Sequence, residues 1–172
     1  MKELKVVAHP VDIFFTASDA PRSKYLRAVT DGDVSHVGLL YFSLDFGAVW
    51  ILEVSARGVW AVPFENFNYN IVKQYRCLFP TDKALLNVTR HIGKYYDYPG
   101  AFLFGAWLLI KKLFRCDIDR PWASPRYMWC SEFVAEFLRE CNIDTKDPEA
   151  ASPQDLLMLC KSRPHLFSEV QK

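Results

Sequence analysis

No stretch of this chain is long and apolar enough to cross a bilayer: the most apolar run, Ala101 to Ile110, has about half the residues a spanning helix needs. The first residues, Met1 to Val7, carry no apolar core of signal-peptide length. No internal repeat, low-complexity tract or linker divides the sequence. No Cys-x-x-Cys pair occurs, which removes a zinc ribbon and a thioredoxin motif. Nor is there an excess of either charge. Lys plus Arg number 21 against 20 Asp plus Glu, so net charge offers nothing to a nucleic acid. These absences predict a cytoplasmic protein without metal, cofactor or nucleic-acid partner, with viral or phage delivery as the alternative.

What is present is an ordinary globular balance, 51% apolar and 24% charged, in 172 residues. That length suits one domain with a substantial core, expected over about residues 11–160, followed by a loosely held tail at 162–172. Five cysteines are an odd number. Cys77, Cys116, Cys141 and Cys160 read as reduced core or surface thiols.

Cys130 stands apart. Trp129 to Leu138 places Phe133, Val134, Phe137 and Leu138 at helical spacing, while Pro121 and Pro125 lie in an irregular segment before it. Cys130 therefore falls at a helix start, where unpaired N–H groups and the dipole favour a thiolate. A small buried hydrophobe is the bland reading of the same residue.

Upstream, Val11–Thr16 reads as a strand and Pro21–Thr30 as a helix with proline at its first turn. Val34–Phe42 and Ala48–Val54 read as a hairpin. A four-residue loop at 43–46 would set His36 opposite Glu53 on one face, with Cβ atoms about 5 Å apart. Glu53 lies between Leu52 and Val54, and burying a carboxylate there is costly unless it is paired. Gly38 suggests close approach of another group. Val59–Val62 and Ile71–Phe79 complete the strands. Lys83–Tyr95 predicts an amphipathic helix, capped by Thr81 or Asp82, with Leu86, Ile92 and Tyr95 inward. Ala101–Phe114 predicts a core helix, with a cleft wall or a membrane-surface contact through Leu108–Lys112 as alternatives. Pro153–Lys161 predicts the last helix. His9 reads as a surface residue, and His91 as a surface or packing one.

A cysteine nucleophile needs a base within hydrogen-bond reach and a third group to orient that base. Cys130, His36 and Glu53 supply those types. The residues alone leave open an edge strand with Glu53 in water and His36 at a strand end.

The blocks Ser35-His36-Val37-Gly38-Leu39, Leu52 to Val59 and Met128 to Val134 resemble the circularly permuted papain-fold cysteine hydrolases, the YiiX/YebB group of the NlpC superfamily with its poxvirus relatives. Cys141 to Thr145 and the turn Tyr96 to Gly100 are similar to that group as well. The resemblance spans roughly residues 11 to 157. Relatives often introduce the first strand with Gly-Asp, where this chain has Val11-Asp12. The resemblance implies an α+β fold of permuted papain (NlpC) type, an antiparallel sheet or partial barrel packed on helices. It also implies Cys130 as nucleophile, His36 as base and Glu53 as orienting residue. The expected activity is hydrolysis of a peptide or acyl-amide bond through a thioester. A lipid acyltransferase or esterase, or a binding domain that kept the fold, is the alternative. The Cys130 N–H would be one oxyanion donor; Tyr127 and Trp129 are candidates for the second by proximity.

Overall fold

The computed structural model describes residues 11–43, 45–67, 70–97, 106–107, 110, 114, 126–145, 148 and 151–171. The expectations for His9, Cys116, Pro121, Pro125 and most of Ala101–Phe114 lie outside them. The described chain is α+β. β1 (Asp12–Thr16), β2 (His36–Ser43), β3 (Ala48–Ser55), β4 (Gly58–Pro63), β5 (Ile71–Cys77) and β8 (Phe167–Glu169) form one antiparallel sheet in the order β4-β3-β2-β1-β5-β8. β6 (Tyr95–Tyr96) and β7 (Tyr127–Met128) make a separate short parallel ribbon. Among the described residues they are accompanied by α1 (Pro21–Thr30), α2 (Asp82–Val88), α3 (Cys130–Glu140) and α4 (Pro153–Ser162). Among the described residues, no helix is long and apolar enough to cross a membrane.

Alternation along the strands separates two apolar clusters. Ile13, Phe15, Val37, Leu39, Leu52 and Val54 belong to the larger one. α3 joins it through Phe133, Val134, Phe137 and Leu138, all fully buried. Fully burying four such side chains contributes on the order of 6–12 kcal/mol, so this helix is anchored by its apolar face. Phe14, Leu40, Ile51, Val62 and Ile71 form the smaller cluster, with Trp60 and Phe67 packed against it.

Two expectations need correction. The segment from Lys83 is not one helix to Tyr95. α2 stops at Val88, a single 3-10 turn covers Thr89–His91, and Gly93 turns the chain at φ 94°. The cause is a competing ladder: the Gly93 N–H donates to Val59 O, and Val59 N–H donates to Lys94 O, each at 2.9 Å. The buried face is therefore Ala84, Leu85, Val88 and His91, while Leu86, Ile92 and Tyr95 are exposed. Of the expected helix over Ala101–Phe114, the described residues are Ala106 and Trp107, half-buried, and Ile110 and Phe114, exposed. The second correction is that the tail is not loosely held. β8 pairs with β5, and Phe167, 2% exposed, packs edge-on against Phe79 at 5.5 Å.

Candidate active site

The hairpin that carries two of the candidate residues has a different register from the one expected. The turn lies between Ser43 and Ala48, with Gly47 at φ 58°, and the pairs run Ser43↔Ala48 to Leu39↔Leu52. Continued one step, Glu53 stands opposite Gly38, not opposite His36. The difference is two residues, and a two-residue shift keeps a side chain on its face. His36 and Glu53 are thus diagonal neighbours on one face, and His36 Nε2 lies 2.6 Å from Glu53 Oε2.

Gly38 makes that diagonal reach possible. A Cβ there would sit 2.6 Å from Phe14 Cζ and 3.1 Å from Glu53 Cβ. The Phe14 ring packs into this space and also stands 6.1 Å from the His36 ring. Glu53 is 1% exposed, and His36 closes its burial with an ion pair.

Cys130 reaches the same histidine from the other side of the site. Trp129 is extended (φ −112°, ψ 171°), so helical geometry begins at Cys130. Glu132 caps the turn by accepting from the Trp129 N–H at 3.4 Å. Cys130 is close enough to be coupled to the imidazole by charge and hydrogen bonding. Burial pulls the His36 pKa down, but the Cys130 and Glu53 side chains outweigh it and raise the group to about 10. The imidazole side chain keeps 20% exposure, so the site is open to solvent at that point.

Three other thiols lie among the described residues. Burial raises Cys77 strongly, and raises Cys141 and Cys160 to about 12. Of the two residues named as second oxyanion donors, Trp129 has its backbone N–H engaged by Glu132. Tyr127 is exposed on β7, its ring 6.2 Å from that of Tyr95. His91 is buried and packs edge-on against Phe133 of α3 at 6.5 Å, a packing residue away from the triad.

Sequence reasoning missed the β6–β7 ribbon that leads into Trp129. Two-residue strands joined across some thirty positions carry no periodic signal. One clue was Gly58. At φ 92° its Cβ would fall 2.0 Å from Lys94 O, a close approach only glycine allows.

The fold is YiiX-like α+β. Among solved structures the chain is similar to the metalloprotein yiiX from Escherichia coli O157:H7, at 17% identity over 95% of this chain and 97% of that one, with a TM-score of 0.61. No protein-family model and no curated protein matches. The neighbour's metal prompts a fit test here. Among the described residues no group of three or more His, Cys, Asp and Glu side chains is placed to hold an ion. His36 Nε2 is already committed to Glu53.

Proposed function

We propose that the chain is a cysteine hydrolase of the permuted papain type, in the NlpC superfamily, that cleaves an amide bond through a thioester. The observation that carries this reading is the series Cys130–His36–Glu53. A thiol at a helix start is coupled to a histidine whose other partner is a carboxylate buried in an apolar strand. That is the set a nucleophile, base and orienting group require.

With Nε2 committed to Glu53, Nδ1 is the nitrogen left to take the thiol proton. The resulting imidazolium stands beside the thiolate, at the positive end of α3. The Cys130 sulfur attacks the acyl carbon, and the Cys130 N–H at the helix start faces the oxyanion. Collapse breaks the C–N bond, and His36 gives its proton to the leaving amine. Water then attacks the thioester, His36 accepts its proton, and the acid leaves as the Cys130 sulfur is released. Glu53 holds the ring through both steps. The substrate class is a small peptide or an acyl amide. A lipid acyl group is the second reading, favoured by the exposed apolar side chains of Ile92, Tyr95 and Tyr127 around the ribbon before Cys130.

The test is a panel of peptide amides and acyl amides given to the wild type and to Cys130→Ala. Hydrolysis that disappears in the variant, with a trapped acyl group on Cys130 by mass spectrometry, supports the reading. Full activity in Cys130→Ala removes it.

A further inference from the structure

Backbone contacts bring three cationic positions from separate parts of the chain to the place where the β6–β7 ribbon meets β4. Arg57 is in the β3–β4 turn, its guanidinium stacked 4.6 Å above the Trp60 ring. Trp60 pairs directly with Glu53 across β3 and β4, so this stack adjoins the triad. Lys94 lies against the same turn, bonded through its carbonyl to Val59 N–H. Arg126 gives its carbonyl to the Tyr95 N–H at 3.2 Å. The ribbon pairs Tyr95 with Tyr127, and one step back that register sets Lys94 beside Arg126.

Like charges opposed across strands repel, and a fold gains nothing by placing them there. Yet no carboxylate among the described residues pairs with Arg57, Lys94 or Arg126. Of the described acids nearest in sequence, Glu132 accepts from the Trp129 N–H, and Asp97 is buried. In a chain of net charge +1, three neighbouring positions whose cations have no acidic partner among the described residues make a local field. Arg126 is four residues before Cys130, so at most about 14 Å of backbone separates them.

We infer that Arg57, Lys94 and Arg126 form an anion-binding rim beside the Cys130 site, which takes a carboxylate or phosphate group carried by the substrate. This rests on the hydrolase reading for its substrate, but not for the anion binding itself. Trp60 gives Arg57 a fixed platform, which leaves its N–H edge free for a planar or tetrahedral oxyanion. The rim would select substrates whose scissile bond lies within an arm's length of an acidic group. It would reject neutral analogues of the same size.

The experiment has two arms. In Cys130→Ala, benzoate or phenyl phosphate should raise the melting temperature at low salt, and benzamide should not. The added changes Arg57→Gln, Lys94→Gln and Arg126→Gln should abolish the shift. The stronger of the two anions tells carboxylate from phosphate. In the wild type, Cys130 is alkylated with bromoacetamides that end in a carboxylate, a phosphate or a neutral carboxamide. The anionic reagents should react roughly fivefold faster, an advantage of the size an exposed ion pair supplies, and lose it in the triple variant and in high salt. Equal shifts with and without the three cations overturn the rim. A rim that binds anions while Cys130 reacts with no reagent sinks the hydrolase reading alone.

Discussion

Glu53 stands opposite Gly38 in the sheet and reaches His36 on the diagonal, its Oε2 2.6 Å from Nε2. The triad geometry therefore depends on a residue with no side chain. A Cβ at position 38 would meet the Phe14 ring at 2.6 Å and Glu53 Cβ at 3.1 Å. Gly38→Ala should destabilise the fold by about 1–3 kcal/mol, the range for an overpacked core. It should also slow Cys130 alkylation. A urea titration that matches the wild type, with unchanged alkylation, would show that Phe14 and Glu53 yield without cost.

Glu53→Gln keeps the shape and removes the charge. His36 should then titrate lower, because Glu53 supports the imidazolium both by hydrogen bond and by charge. A drop of about one pKa unit corresponds to roughly tenfold in the population of the charged ring. NMR titration of the His36 ring protons reads this directly. An unshifted midpoint would mean that the carboxylate does not act on the ring.

The raised His36 pKa has a pH signature in stability. A histidine held above its unfolded value of 6.5 contributes stability that is fully present below that value. The contribution is lost as pH rises through the folded value of about 10. The difference in urea midpoint between wild type and His36→Gln should therefore be largest near pH 6 and narrow towards pH 10. A difference that widens with pH would contradict the paired histidine.

Much of this site was legible before the fold was seen, and the reason is parity. The hairpin turn lies one residue later than expected, which shifts the pairing by two and leaves His36 and Glu53 on one face. The cost of burying Glu53 between Leu52 and Val54 pointed the same way, and it is 1% exposed. The start of α3 at Cys130 followed from its apolar spacing and the absence of a continuing helix. What could not be read came from contacts distant in sequence. The ladder of Val59 with Gly93 and Lys94 ends the α2 region early, and the Tyr95–Tyr127 ribbon has no local pattern. The polar tail 162–172 hid a strand, because only Phe167 of β8 faces the core.

That tail supports a further prediction. Phe167 is 2% exposed and sits edge-on to Phe79. Phe167→Ala should cost about 3–5 kcal/mol, the usual penalty for emptying a buried phenylalanine site. A chain ending at Arg163, without β8, should unfold at least as early. Circular dichroism melts of both would read this. A truncated chain as stable as the whole would mean that β8 adds nothing to the sheet.

An activated Cys130 is tested most directly by its rate of alkylation by iodoacetamide at mildly acidic pH, site by site by mass spectrometry. Cys141 is the control, because it is partly exposed yet held to a pKa of about 12. The predicted result is selective labelling of Cys130, lost in His36→Ala, with Cys77, Cys141 and Cys160 untouched. Labelling of Cys130 no faster than Cys141, and indifferent to His36, would contradict the account.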